Sequence, residues 1–254
     1  MSNTTLTADA VVGLDLSAYL TTDAKRSIAF YRDVIGLTPT DIDEQGRGAE
    51  FTLVDGQTFG VWDTGENKTG AVAMLAVRDG KAAVARIRAA GGTISDPEEI
   101  PGCCSMAFGK DPDGNEFIIH ARTGREAGSQ VSAATAPDPA DVTGIDITGY
   151  ATKDASKAIA FYRDVVGIPP TGIDPEGRGS EFELADGTCF GVWNGGEAFD
   201  YTGGVMFAVG DASAAVARIR SRGGQIADPF DGPVCRMAFG KDPDGNDYVI
   251  HQRK

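Results

Sequence analysis

Apolar residues recur at every second position over residues 14–21, which predicts a short strand. The period then changes. Asp23 is a good helix N-cap, Ile28, Tyr31, Val34 and Ile35 fall on one helical face, and Gly36 supplies the stop. Alternating strands follow at 49–53 and 58–62, joined by a turn at Asp55-Gly56. After Gly70 the pattern restarts with a strand at 72–77, a helix at 82–90 closed by Gly91-Gly92, and a strand at 105–109. Pro112 and Gly114 occupy the second and fourth positions of a type I turn at 111–114, which leads into a last strand at 116–122.

The same course runs again from Ile145 to His251, and much of it letter for letter. Met-Ala-Phe-Gly-Lys-Asp-Pro-Asp-Gly-Asn at 106–115 returns at 237–246, Ala-Phe-Tyr-Arg-Asp-Val at 29–34 returns at 160–165, and Gly-Val-Trp at 60–62 returns at 191–193. Even the only two histidines, His120 and His251, are repeat-equivalent. A period this long is a domain rather than a solenoid unit, so any site should exist in two versions. The expected organisation is an arm at 1–11, a domain at 12–122, a linker at 123–144 rich in Ala, Ser, Thr, Pro and Gly, and a second domain at 145–254.

Charge narrows the partners. Residues 1–131 carry 12 Lys+Arg against 19 Asp+Glu, and residues 132–254 carry 11 against 18, so each half stands at −7. Such a surface repels phosphate backbones and anionic lipid, which argues against nucleic acid and membranes as partners. It either favours a cationic ligand or serves only to keep the protein soluble. No apolar run approaches a membrane span, and the first ten residues lack the blocks of a signal peptide. Cys103, Cys104, Cys189 and Cys235 form no C-x-x-C, so reduced thiols in a cytoplasm are expected. A monomer or a homodimer fits this reading equally.

The order of elements, with A-F-Y-R-D-V-[IV]-G after the first strand and D-P-D-G-N before the last, resembles the vicinal oxygen chelate superfamily. That family includes glyoxalases, bleomycin-binding proteins, fosfomycin-modifying enzymes and extradiol dioxygenases. The resemblance covers about 210 of 254 residues, twice over. It implies an α+β fold of four βαβββ modules forming two cup-shaped, glyoxalase-like domains. It also implies, for metal-dependent members, a ligand on each module's first strand and one on each last strand. Those positions here hold Leu16, Ile118, Ile147 and Val249, with Val72 and Gly204 on the first strands of the second modules, and no His, Asp or Glu lies in 58–62 or 188–193. Apolar side chains give no lone pair to a cation, so no metal or other cofactor is expected. The arginine that glutathione-using glyoxalases carry, by the same resemblance, is replaced by Leu20 and Ala151.

Strand alternation groups what remains. Leu16, Ala18 and Leu20 share a face with Val72, Met74, Ala76, Ile118 and His120; the second set is Ile147, Gly149, Ala151, Gly204, Met206, Ala208, Val249 and His251. Tyr19 and Tyr150 fall on the helix side. Trp62 and Trp193 end the fourth strands and either stack on a planar ligand or pack in the core or as lids. His120 and His251 are hydrogen-bond donors or general bases, or else cap a loop carbonyl. Arg47 and Arg178 either hold a ligand anion or brace their turns, with Glu50 and Glu181 as possible ion-pair partners. Cys104 and Cys235 read as small buried hydrophobes. Small residues at Gly149 and Gly204 are expected to leave more room in the second cup.

Two functions follow. The first is metal-independent binding and sequestration of an antibiotic or aromatic polyketide-like molecule, with a cationic sugar or amine as an optional feature. The alternative is a lyase, isomerase or cyclase on the same scaffold, with a cup histidine as acid–base.

Overall fold

The computed structural model describes residues 7–123, 138–195 and 203–254. Most of the expected linker and the start of the expected arm therefore lie outside the described residues. The first repeat contains β1 (Val11–Leu20), β2 (Asp41–Ile42), β3 (Gly48–Thr52), β4 (Thr58–Trp62), β5 (Gly70–Val77), β6 (Glu98–Ile100), β7 (Cys104–Lys110) and β8 (Glu116–Arg122), with helices α1 (Ala24–Ala29) and α2 (Gly80–Ala89). The second contains β9 (Val142–Ala151), β10 (Gly172–Ile173), β11 (Gly179–Glu183), β12 (Cys189–Trp193), β13 (Gly203–Val209), β14 (Phe230–Asp231), β15 (Cys235–Lys241) and β16 (Asp247–Arg253), with α3 (Ala155–Ala160) and α4 (Ala212–Ser221). The strand orders are β2-β3-β4-β1-β5-β8-β7-β6 and β10-β11-β12-β9-β13-β16-β15-β14. The fold is α+β, with two eight-stranded mixed sheets built from βαβββ-like units.

Local chemistry sets the helix limits. The carboxylates of Asp23, Asp79, Asp154 and Asp211 each accept a backbone N–H from the first helical turn. α1 and α3 do not end where the α-helical hydrogen bonds end. Each continues as a π-helical segment, Phe30–Ile35 and Phe161–Val166, which closes at a left-handed glycine (Gly36, φ 97°; Gly167, φ 82°). The short outer strands β2, β6, β10 and β14 carry exposed residues with no apolar alternation, which is why the sequence pattern does not announce them.

The chain divides into two compact units that do not follow its linear order. Among the described residues, one gathers 7–15, 72–123 and 151–195; the other gathers 16–71, 138–150 and 203–254. The second unit encloses an aromatic core in which Tyr31 lies 4.6 Å from Phe59 and Phe59 meets Phe207 edge-on at 5.1 Å. Tyr19 belongs to this core and is fully buried, on the helix side as alternation requires. The first unit repeats the arrangement, with Tyr162 4.7 Å from Phe190 and edge-on to Phe117.

The Asp-Pro-Asp-Gly-Asn turns tie each unit together. In the second unit Asp242 accepts from the Tyr31 hydroxyl at 3.1 Å, and the Asn246 amide donates to Leu20 O at 3.1 Å. Asp244 accepts from Thr21, Thr22, Ser27 and Arg26. In the first unit Asp111 accepts from Tyr162 at 3.2 Å, Asn115 donates to Ala151 O at 3.0 Å, and Asp113 accepts from Thr152. A motif that reads in sequence as a turn is thus also a cross-link between modules. No helix among the described residues is long and apolar enough to cross a membrane.

Candidate functional site

β9 and β13 pair with Met206 opposite Ile147 and Phe207 opposite Ile145, so Asp146 is an extra residue, a β-bulge. Strict alternation from Ile147 would turn Asp146 toward the core. The bulge turns it back to the face of Met206, where Ala208 and Met237 flank His251. There Asp146 Oδ2 lies 2.6 Å from His251 Nδ1, and Arg253 Nε donates to Asp146 Oδ1 at 2.6 Å. Burial alone would raise this carboxyl, but hydrogen bonds from His251 and Arg253 outweigh it and hold Asp146 below the ordinary carboxylate range.

The first unit contains the same three residue types. His120 Nδ1 lies 2.7 Å from Asp15 Oδ2, and Arg122 Nε lies 3.1 Å from Asp15 Oδ1. The histidine expected to cap a loop carbonyl or act as a base is therefore bound to a carboxylate in both units. A carboxylate only accepts, so Nδ1 is the protonated nitrogen of the neutral ring and Nε2 keeps the lone pair. Neither ring makes a second hydrogen bond among the described residues.

Asp15 and Asp146 are absent from the sequence-based candidates, although they left a trace: a charge between apolar neighbours, Leu14-Asp15-Leu16 and Ile145-Asp146-Ile147, in both repeats. Arg122 and Arg253, each two residues past the histidine, are the other half of that trace.

A depressed carboxyl pKa has a defined sign in stability. Asp146 favours folding above its unfolded-state pKa of about 4, and that contribution is lost as pH falls through the lower folded value. Asp146→Asn should therefore flatten part of the acid limb of a urea-midpoint-versus-pH profile; an unchanged limb would contradict the pairing.

Around His251 the strand face is apolar. Ile147, Met206, Val249 and Phe239 lie in one row across four strands, and Phe230, next to Met237, stacks on Phe239 at 5.9 Å and 9°. The row in the first unit is Met74, Ile118 and Phe108, with Glu98 opposite Met106 where the second unit has Phe230. Of the expected lining residues, Leu20, Trp62, Met74, Trp193 and Met206 are partly exposed. Leu16, Val72, Ile118, Ile147, Gly149, Gly204 and Val249 are buried, Val249 completely. Trp62 lies over Gly48 and Gly60, where an added Cβ would come within 2.4 Å and 2.9 Å of the indole.

Two expectations change in detail. A Cβ on Gly204 would meet Asp247 O at 1.9 Å and the Tyr19 hydroxyl at 2.8 Å, so this glycine allows close strand packing instead of making room for a ligand. Arg47 and Arg178 pair with Asp43 at 3.3 Å and Asp174 at 3.0 Å within their own loops, not with Glu50 and Glu181. The Arg178 hydrogen bonds bring the Asp174 carboxyl down to about 2. Cys104 is buried, and burial followed by its neighbour Cys103 pushes its thiol up to about 11, which keeps it protonated.

Residues 13–119 and 144–250 each match the Glyoxalase/Bleomycin resistance protein/Dioxygenase superfamily. The chain belongs to this superfamily, as two tandem domains. It is similar to the anthracycline biosynthesis proteins DauV of Streptomyces sp. (strain C5), at 26% identity over 251 residues, and DnrV of Streptomyces peucetius, at 27% over 254. Each match covers 90% of this chain and 88% of the relative. Among solved structures the fold is similar to a Mn(II)-bound glyoxalase from Novosphingobium aromaticivorans (TM-score 0.70, 18% identity, 96% of this chain and 82% of that one). It is also similar to homoprotocatechuate 2,3-dioxygenase from Brevibacterium fuscum in complex with its substrate (TM-score 0.68, 16% identity, 97% and 82%).

The superfamily implies a metal, and the donor set does not fit one. Leu16, Ile118, Ile147 and Val249 stand where its ligands are expected and offer no lone pair. Among the described residues no three His, Cys, Asp or Glu side chains are grouped to hold an ion.

Proposed function

We propose that this protein is a metal-independent small-molecule binding protein of the glyoxalase/bleomycin-resistance type, which takes up a flat aromatic polyketide-like ligand. The observation that carries this reading is the replacement of ligand-forming side chains by an apolar face, where Met206, Phe239 and Phe230 stand beside the imidazole of His251. Thioether and aromatic side chains suit planar ring systems through dispersion and stacking. Two relatives named for anthracycline biosynthesis support a ligand of that class, and the net charge of −14 favours one that also bears an amine. The protein acts in this reading as a monomer or homodimer in the cytoplasm, with neither nucleic acid nor membrane as partner.

The test is titration calorimetry with a panel of anthraquinones, with and without a chelator. Binding at micromolar or tighter affinity, unchanged by chelation, is expected. No heat from any member, or binding that requires an added divalent cation, would overturn the proposal.

A further inference from the structure

The Asp146–His251–Arg253 set is more specific than an apolar binding face requires. Packing alone would be served as well by apolar residues of similar size, since burying a charged pair costs desolvation that its attraction only repays in good geometry. Here a bulge is spent on re-aiming one carboxylate, and both of its oxygens are engaged, at 2.6 Å by the imidazole and 2.6 Å by the guanidinium. The result fixes the ring with Nδ1–H toward Asp146 and leaves Nε2 without a protein partner among the described residues. An imidazole held in this way presents Nε2 at a fixed angle as a hydrogen-bond acceptor.

Resting on the binding reading above, we propose that this set is a proton-accepting site for an acidic hydroxyl, phenolic or enolic, of the bound aromatic ligand. The O–H bond breaks and an Nε2–H bond forms on His251. The electron pair stays on the ligand oxygen, giving a phenolate or enolate beside the imidazolium. His251 is the catalytic residue. Asp146 is a positioning residue that fixes the ring's tautomer and angle, and Arg253 positions Asp146. No metal or redox partner enters the step.

The two units are not equal in this respect. Glu98, opposite Met106 beside His120, puts a carboxylate where the second unit has Phe230 opposite Met237. A negative charge there opposes formation of an anionic ligand, whereas the Phe230–Phe239 stack extends a planar apolar surface. The activity is therefore assigned to His251 in preference to His120.

Alizarin, a dihydroxyanthraquinone whose absorption changes on loss of its phenolic proton, is a direct probe. It is mixed with the full-length protein at a pH below its free ionisation midpoint, binding is followed by calorimetry, and ionisation by the visible spectrum. Wild-type protein should bind it and produce the phenolate spectrum. His251→Gln should weaken binding and leave the probe that still binds neutral, while His120→Gln should leave the phenolate spectrum in place. Asp146→Asn should lower the phenolate-to-phenol ratio about tenfold, equivalent to about one pKa unit, with a loss of affinity no larger than that factor. Wild-type binding with a neutral spectrum would overturn the proton-transfer assignment while the binding reading stands. A phenolate spectrum that survives His251→Gln would overturn the assignment to His251. Absence of binding by alizarin and the rest of the anthraquinone panel would instead remove the binding reading and this inference with it. The wild-type spectrum decides the main point even where a variant folds poorly.

Discussion

Asp242→Ala should destabilise the protein by about 3–5 kcal/mol, seen as a large fall in the urea midpoint. The carboxylate is 6% exposed and accepts four hydrogen bonds. Tyr31 and Asn246 donate from their side chains, at 3.1 Å and 2.9 Å, and Asp244 and Asn246 from the backbone, both at 2.9 Å. Alanine would orphan those donors where water cannot replace the carboxylate, since Tyr31 is 0% and Asn246 3% exposed. It would also release Asn246, whose amide reaches Leu20 O and whose oxygen accepts from Gly70 N at 2.7 Å. Tyr31→Phe removes a single donor and should cost only about 1 kcal/mol. The carboxyl also has a pH signature. Burial raises its pKa against the lowering effect of Asn246, Asp244 and Tyr31. The associated stability is thus complete below the unfolded-state pKa and is lost as pH rises through the folded one. Asp242→Asn should remove that dependence. A loss below about 1 kcal/mol for Asp242→Ala would mean that the turn is only a turn.

How much of this was legible in the sequence depends on whether a feature obeys a short period. The alternation that put Tyr19 and Tyr150 on the helix side, and Met74, Met206, Ile118 and His251 on the other, survives in the structure because those stretches pair in regular register. The bulge at Asp146 does not obey it. One inserted residue shifts parity for its neighbours, and no hydrophobic period records an insertion of one. The carboxylate partners of the histidines were therefore missed, although a charge flanked by apolar residues in both repeats pointed to them. The π-helical segments were hidden for a related reason. Ala29 to Gly36 reads as ordinary helix, and the wider turn appears only in the hydrogen bond from Gly36 N to Tyr31 O. The cross-linking role of Asp242 was invisible because Tyr31, the partner it ties in, lies 211 residues away in the chain, where no local pattern reaches.

Gly204→Ala should be nearly as damaging, at about 3–4 kcal/mol, and should lower the melting temperature by roughly 10 °C for a chain of this size. Repeat logic argues the opposite. Val72 stands at the equivalent position, so a larger side chain looks tolerable there, and the glycine looks like space for a ligand. The geometry at 204 removes both ideas. Gly204 pairs with Gly149 on one side and Asp247 on the other, and an added Cβ would sit 1.9 Å from Asp247 O. The obstacle is backbone, so no rotamer change relieves it. Separating β13 from β16 instead would strain the Tyr19 hydroxyl, which donates to Asp247 O and accepts from Val205 N at 2.6 Å. That hydroxyl is fully buried, so breaking either bond leaves a polar group without water. Val72→Ala in the other repeat trims a buried side chain without touching backbone and should cost about 1–2 kcal/mol. Thermal melts of the two variants side by side are the measurement. If Gly204→Ala melted within about two degrees of wild type, the close strand contact would be slack, and the glycine would again be available as room for a ligand.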